Sequence, residues 1–333
     1  MDTVSPPETL PHGGNLVVAR QRFPKAPEPF LDLSTGIAPY SYPIPPLPSE
    51  TFIRLPEPEA HAALCRSAAK RYRVPAGARL VAAPGTQILL PMIAALCQPG
   101  TARVLGPTYA EHARAAALAG HDTREVSVLA DLAPASLITV VNPDNPTGRI
   151  LDAKTLSALA AQQREGGGLL VVDEAFHDAC SELPSAVSLV PSGSVVVLRS
   201  FGKFHGLAGV RLGFAVAPDA IAARLEALLG PWAVAGPALL VGQTALTDSL
   251  WAQKQRARLR ATAARLDEVL AQSGLTVLGG TPLFRFVEAP PSTFERLGDA
   301  GILVRSFAHW PDRLRIGLPA DDAGFARLAR ALA

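Results

Sequence analysis

Lys203 and Arg211 share a glycine-rich segment, SFGKFHGLAGVRLG, that spans residues 200–213. Apolar side chains flank Lys203, and an apolar environment lowers the pKa of an amine because it disfavours the charged form. Such an amine can attack a carbonyl carbon and form a Schiff base, and Arg211 could hold a phosphate close by. A lysine beside glycines is more often solvated, but the apolar flanks and Arg211 favour a chemical role here.

An acidic pair and an amide follow two other apolar segments. Asp173 and Glu174 come directly after the apolar residues 168–172. A buried carboxylate needs a cationic partner, and capping a helix is its alternative role. Asn145 lies in VNPDNPTG, residues 141–148, where two Asn-Pro steps force a rigid turn that presents the amide at a fixed angle.

Gly85, Thr86 and Gln87 lie where a predicted helix begins, after Pro84. The first N–H groups of a helix have no partner within it, and the helix dipole is positive at that end. An anion is therefore stabilised there. A glycine at a helix start is weak support by itself, and Arg211 strengthens it.

The elements that must position these residues follow a regular alternation. Apolar runs at 102–105, 136–141, 168–172 and 194–198 alternate with helical patterns at 60–72, 87–97, 109–119 and 153–165. Uninterrupted apolar strands between amphipathic helices predict an α/β fold with a mainly parallel sheet covered on both faces. Ligands bind such sheets at the carboxyl ends of the strands, where the segments above lie.

A change of pattern after Pro218 predicts a second, smaller α+β domain. Long Ala/Leu/Arg helices are expected at 221–229 and 236–273, followed by strands near 275–278, 283–287, 302–304 and 314–316. The first sixty residues are rich in proline, which predicts an extended arm and not a packed helix. We expect an arm at 1–45 that joins the small domain, a large domain at 46–230 and the small domain at 231–333.

Composition excludes several functional classes. The 333 residues are 48% hydrophobic and 18% charged with a net charge of +2, which indicates a globular protein without a nucleic-acid partner. Cys65, Cys97 and Cys180 suit neither disulfides nor a metal site and fit a reducing compartment. No signal peptide is apparent at residues 1–14, and no apolar run is long enough to span a membrane. We expect a soluble, cytoplasmic protein.

Together and in this order, the motifs NPDNPTG, DEA and SFGKFHGLAGVRLG resemble the fold-type I pyridoxal-phosphate enzymes of the aminotransferase class I/II group. The resemblance covers residues 12–318. It implies a large domain with a mainly parallel sheet, a smaller α+β C-terminal domain, and pyridoxal 5′-phosphate as the cofactor. It also implies a homodimer, since the cofactor site of this fold commonly lies at a dimer interface.

The resemblance implies three catalytic residues and their neighbours. Lys203 would hold the cofactor as a Schiff base and move the proton at the reacting carbon. Asp173 would pair with the pyridine N–H, Asn145 would bond the ring oxygen, and Tyr109 would stack on the ring. The cofactor phosphate would be bound by Gly85, Thr86, Ser200 and Arg211, with Gln87 close by.

The substrate site is also implied by resemblance. Arg315, in LRIGLP, would bind the substrate carboxylate. The segments HGGN at 12–15, LDLSTGI at 31–37, DEAF and LVRSF are similar to those of the threonine-phosphate decarboxylases of cobalamin biosynthesis. His12, Gly36 and Arg305 then become candidates for binding a phosphorylated amino acid.

Two departures from the family pattern affect this interpretation. Phe176 occupies a position where relatives often have a tyrosine that bonds the ring oxygen, so that bond is lost. Ala38 stands where an asparagine is typical, which removes a donor near the substrate carboxylate. Activity would be reduced but not lost, because hydrogen bonds to one charged group contribute a few kcal/mol at most.

Three functions follow in order of preference. The first is decarboxylation of L-threonine O-3-phosphate to (R)-1-amino-2-propanol O-2-phosphate. The second is transamination by a histidinol-phosphate-type aminotransferase, and the third is a non-catalytic scaffold that binds the cofactor. The remaining histidines, among them His112 and His121, are expected to be surface or structural residues, whereas His177 and His205 lie close in sequence to predicted site residues.

Overall fold

Thirteen strands and twelve helices form the part of the chain that the structure, a computed structural model, describes, residues 12–333. Residues 1–11, which include most of the segment assessed for a signal peptide, lie outside the described part. The strands are β1 Leu31–Asp32, β2 Arg79–Ala83, β3 Thr101–Leu105, β4 Asp122–Val126, β5 Leu137–Val141, β6 Leu169–Asp173, β7 Val195–Ser200, β8 Gly213–Ala217, β9 Thr276–Thr281, β10 Phe284–Glu288, β11 Ile302–Leu303, β12 Arg305–Phe307 and β13 Trp310–Gly317.

Most of the helices lie between or after the strands of the central sheet. They are α1 Leu16–Arg22, α2 Glu50–Ile53, α3 Pro58–Tyr72, α4 Leu89–Leu96, α5 Glu111–Leu118, α6 Ala153–Gly166, α7 Phe201–Phe204, α8 Asp219–Leu229, α9 Gly236–Thr247, α10 Ser249–Gln272, α11 Ser292–Asp299 and α12 Asp322–Leu332. Short 3₁₀ turns, including Thr86–Ile88 and His177–Ala179, complete the set of helical elements.

A seven-stranded sheet carries the predicted site. Its strand order is β2-β8-β7-β6-β5-β3-β4, and only β8 runs against its neighbours. Every residue of β5, β6 and β8 is buried, because helices cover both faces. Helices α4, α5 and α8 pack on one face and α6 on the other. This arrangement confirms the predicted α/β class and brings the carboxyl ends of β5, β6 and β7 to one edge.

A second, antiparallel sheet forms near the C-terminus, with the order β12-β13-β10-β9. Helices α10 and α12 cover it with Leu259, Leu266 and Phe325, which pack in the same core as Phe284 and Ile316. Strand β1 pairs in parallel with β11, so the N-terminal segment is joined to this part of the chain.

Two local expectations were wrong. The continuous helix predicted over 236–273 is two helices, because Asp248 ends α9 and its carboxylate caps α10 by accepting a hydrogen bond from the Trp251 N–H at 2.9 Å. The N-terminal arm also contains a packed helix, α1, which Asn15 caps.

The position of α9 bears on the division into domains. This helix packs against α3, and its Leu239 shares a core with Leu64 and Phe214 of the large sheet region. The change from one core to the next therefore follows α9, while the division at residue 231 stays a prediction. Within residues 12–333, no helix combines the length and apolar character that crossing a membrane requires.

Candidate active site

Lys203 lies on α7, directly after β7, with its side chain partly buried. Burial and then the charge of Arg315 lower its pKa to about 8. Its Nζ is 5.6 Å from the centre of the Phe176 ring. The chain's other lysines are all exposed: Lys25, Lys70, Lys154 and Lys254. Lys203 is thus the one lysine of the sequence that combines burial with a lowered pKa.

Asp173 ends β6 with both carboxylate oxygens engaged. Its Oδ1 accepts a hydrogen bond from the Ala175 N–H at 2.9 Å, and its Oδ2 lies 3.0 Å from His112 Nε2. Both side chains are almost completely buried. His112 therefore fixes the orientation of the carboxylate at the edge of the sheet.

The turn after β2 lies against the guanidinium of Arg211. Gly85 has a φ of +86°, and a Cβ there would lie 2.7 Å from Arg211 Nη2. Glycine is therefore needed both for the backbone conformation and for the close approach of the arginine. Ser200, at the end of β7, borders the same space. The start of the 3₁₀ turn at Thr86, the Ser200 hydroxyl and the Arg211 guanidinium border one space, and groups of these kinds bind anions.

Asn145 and Arg315 meet across the two sheets. Arg315 Nη1 donates a hydrogen bond to Asn145 Oδ1, and Nη2 donates one to the Ser34 carbonyl at 2.5 Å. Arg315 is 7% exposed, and its Nε has no partner among the described residues. Burial and then the charge of Arg305 lower the pKa of Arg315 to about 10. Arg305 acts on Arg315 because the two residues are cross-strand neighbours on β12 and β13.

A chain of hydrogen bonds leads from Tyr109 to His12. The Tyr109 hydroxyl donates to Gln87 Oε1 at 2.9 Å, and Gln87 Nε2 donates to Glu111 Oε2 at 2.9 Å. Glu111 Oε1 lies 3.0 Å from His12 Nε2. Burial raises the pKa of Tyr109 to about 12. The chain fixes the Tyr109 ring and ties the N-terminal segment to the mouth of the site.

One cavity brings together Lys203 and every other residue predicted to bind the cofactor. These are Gly85, Thr86, Gln87, Tyr109, Asn145, Asp173, Ser200 and Arg211. The four predicted substrate residues do not line the cavity itself. Arg315 reaches it through Asn145, Arg305 pairs with Arg315, Gly36 packs on Phe176, and the His12 ring centre is 5.7 Å from that of Tyr109.

The two departures from the family pattern occupy packed positions. Phe176 is buried against Phe284, with ring centres 5.1 Å apart, and it has no hydroxyl to offer to the cavity. Ala38 is 3% exposed, and its N–H donates to the Lys203 carbonyl at 2.9 Å. Ala38 therefore contributes a backbone contact that positions the lysine.

His112 makes a contact with a predicted site residue that sequence reasoning did not foresee. It was expected to be structural, and it lies against Asp173. The sequence signal for this contact was that His112 follows Tyr109, a predicted site residue, by about one helical turn. Neither of the two histidines close in sequence to predicted site residues lines the cavity. His205 is fully buried and stacks on Phe201 with ring centres 4.2 Å apart, and His177 lines a different cavity.

The cavity fits pyridoxal phosphate on its own chemistry. An anion cradle formed by Gly85, Ser200 and Arg211 suits the phosphate, and the Asp173 carboxylate suits the protonated pyridine nitrogen. A partly buried lysine with a lowered pKa suits the aldehyde carbon. These are three separate features on three strand ends, which open toward one space.

Comparisons with known proteins identify the family. Residues 47–332 match the model of the family described as aminotransferase class I and II. The chain is 42% identical to a threonine-phosphate decarboxylase from Sinorhizobium sp. over 97% of both chains. It is 40% identical to one from Pseudomonas aeruginosa, again over 97% of both.

Solved structures give the same fold. The histidinol-phosphate aminotransferase from Sinorhizobium meliloti, in complex with pyridoxal-5′-phosphate, superposes with a TM-score of 0.81. Its sequence is 24% identical, and the match covers 100% of this chain and 97% of that one.

Proposed function

The chain belongs to the aminotransferase class I and II family, and on that premise we propose that it decarboxylates L-threonine O-3-phosphate with pyridoxal 5′-phosphate. The products are CO₂ and (R)-1-amino-2-propanol O-2-phosphate, a building block of cobalamin. The choice of substrate is carried by one observation: 40–42% identity, over nearly the whole chain, to two threonine-phosphate decarboxylases.

Pyridoxal phosphate, when bound, supplies a conjugated ring that accepts the electron pair of a bond broken at the substrate α-carbon. Lys203 would hold the cofactor carbon and afterwards deliver a proton to the α-carbon, where it replaces the carboxylate. Asp173, oriented by His112, would accept the pyridine N–H and keep the ring protonated. The Tyr109 ring, held by Gln87, would cover one face of the site.

Two adjacent arginines suit a substrate with two anionic groups. Arg305 and Arg315 are direct neighbours across β12 and β13. Arg315 would bind the carboxylate and Arg305, with His12, the phosphate. The close pair also favours a dianionic ligand, because burial and the neighbouring cation already lower the pKa of Arg315. Which bond at the α-carbon breaks depends on how these cations orient the substrate.

We place the enzyme in the cytoplasm as a homodimer. Cys65, Cys97 and Cys180 are unpaired, as in a reducing compartment. Large apolar side chains stand exposed close to α2 and after α8: Phe52 at 66%, Ile53 at 76%, Leu55 at 65% and Trp232 at 57%. Exposed clusters of this kind mark association surfaces. Sedimentation at assay concentration should give a dimer, and a fully active monomer would contradict it.

A paired assay tests the proposed reaction. The cofactor-loaded protein receives L-threonine phosphate in one arm, with CO₂ and aminopropanol phosphate as readouts. In the other arm it receives histidinol phosphate and 2-oxoglutarate, with glutamate as the readout. We expect CO₂ that depends on Lys203, with Lys203→Ala as the control. Glutamate without CO₂ would instead assign the chain to the aminotransferases.

A further inference from the structure

A second cavity lies near the predicted active site and, like it, is lined by residues at or directly after the ends of β6 and β7. Its walls come from the C-terminal end of α3, the segment after β6, the end of β7 and the middle of α10. Of the described residues, none lines both cavities. The lining is mainly polar and includes Arg71, Arg73, His177, Asp178, Arg199 and Arg256.

Positive charge is in excess around this cavity. Arg199 is paired with two carboxylates, since its Nη1 and Nη2 each lie 2.6 Å from a carboxylate oxygen, of Glu174 and Asp178 respectively, and these three groups together carry a formal charge of −1. Arg71, Arg73 and Arg256 have no carboxylate within 4.0 Å anywhere in residues 12–333. Three guanidinium groups therefore stand around one cavity without a counter-charge in direct contact.

The arginines also act on each other. The pKa of Arg256 lies below its ordinary value, first because of burial and next because of the positive charge of Arg71. Asp178 opposes this effect, and so does Glu182, an exposed residue outside the cavity lining. Like charges held together in this way are stabilised when an anion lies between them.

Buried polar atoms in the same walls lack hydrogen-bond partners. Four of them have no hydrogen-bond partner among the described residues: Arg71 Nη2, Tyr72 Oη, His177 Nε2 and Arg199 Nε. Arg199 is 4% exposed and His177 is 6% exposed. A buried polar group without a partner is costly, and four such groups around one cavity indicate a polar occupant.

We propose that this second cavity binds a small phosphate-type oxyanion, either inorganic phosphate or a phosphate monoester. Arg71, Arg73 and Arg256 supply the charge, and the unpartnered Arg199 Nε–H and Tyr72 hydroxyl supply directed hydrogen bonds. Guanidinium groups match the oxygens of phosphate in a forked geometry. This site does not depend on the proposed reaction.

The second site is joined to the predicted active site through the backbone. Arg199 immediately precedes Ser200 on β7, and Glu174, which binds Arg199, immediately follows Asp173. Adjacent residues of β7 therefore line different cavities, Arg199 the second and Ser200 the first.

Calorimetric titration of inorganic phosphate into the cofactor-loaded protein tests the proposal. The bound cofactor occupies its own phosphate cradle, and Arg305→Gln removes a cation from the predicted substrate site. We expect a binding event that Arg305→Gln leaves unchanged and that Arg71→Gln weakens about tenfold or more.

Arg73→Asn is the second variant, because Arg73 is exposed with a φ of 53° and asparagine tolerates that conformation. It should weaken binding while the circular dichroism spectrum stays that of the parent. A parallel titration with glycerol 3-phosphate distinguishes the two sources: tighter binding than phosphate assigns the site to a monoester, and equal or weaker binding assigns it to free phosphate. Binding of either probe at parental strength in both Arg71→Gln and Arg73→Asn would overturn the proposal, as would the absence of any event that survives Arg305→Gln.

Discussion

His112 Nε2 lies 3.0 Å from Asp173 Oδ2, and both side chains are almost completely buried. The two residues come from different elements, the first turn of α5 and the end of β6. Their contact leaves Asp173 with one fixed orientation, toward the cavity that Lys203 lines. A buried histidine thus contacts a cavity-lining carboxylate without lining the cavity itself.

His112→Ala should weaken the binding of pyridoxal phosphate about tenfold to a hundredfold, because a hydrogen bond to a charged group contributes ~1.5–3 kcal/mol. Fluorescence titration of the cofactor measures this change. The matched control is His121→Ala. His121 is also buried, but its Nε2 lies 3.0 Å from the Ala94 carbonyl and it does not line the cavity. Equal cofactor affinity in the two variants would contradict a role for His112 in orienting Asp173.

Gly85→Ala should lower the affinity for pyridoxal phosphate in addition to lowering the stability of the fold. The new Cβ would lie 2.7 Å from Arg211 Nη2 and displace the guanidinium. Gly193→Ala is the control, since Gly193 has a similar φ of +90° but nothing within 4 Å of the added atom. Both variants should lose about 1–3 kcal/mol of stability from backbone strain. Cofactor titration should separate them, and parental affinity in Gly85→Ala would refute the proposed cradle.

Cofactor attachment should depend on pH through Lys203. Burial, and then the charge of Arg315, lower its pKa to about 8, so the neutral amine that attacks the aldehyde becomes more abundant as the pH rises from 7 to 9. The rate of the absorbance change on mixing with pyridoxal phosphate should rise with a midpoint near 8. Arg315→Gln removes a cation that lowers this pKa, and its midpoint should move to higher pH. An unchanged midpoint would show that Arg315 does not act on the lysine.

Glu174→Ala should destabilise the fold by about 3–5 kcal/mol, because it leaves the buried Arg199 without one of its partners. Urea unfolding monitored by circular dichroism measures this loss. Glu59→Ala removes an exposed ion pair with Arg66 and should change stability little. If the two variants unfold at the same urea concentration, the buried ion pair contributes no more to the free energy of unfolding than the exposed one, which would contradict this prediction.

Much of the site could be predicted from the sequence because its residues lie in short, connected segments. Lys203, Asp173 and Asn145 each follow an apolar run, and apolar runs between helices predict a parallel sheet whose strand ends meet. The central sheet and the comparisons with known proteins confirmed the predicted α/β class, cofactor and family. The roles of the individual residues stay predictions.

What the sequence did not predict depends on contacts between distant segments. The His112–Asp173 pair joins residues 61 positions apart, and the second cavity combines α3 with α10. No periodicity or local motif encodes such a contact. The break at Asp248 was missed for another reason, since the helical pattern continues across it and only the cap on Trp251 ends one helix and begins the next.

Reduction of the cofactor-loaded protein with borohydride, followed by peptide mass spectrometry, tests most directly whether Lys203 carries the cofactor. Reduction makes the link between the lysine and pyridoxal phosphate permanent. The predicted result is a pyridoxyl-phosphate group on the peptide that contains Lys203, and none on the peptides with the exposed lysines, Lys25, Lys70, Lys154 and Lys254. A label on any of these four instead, or no label at all, would contradict the account of the site.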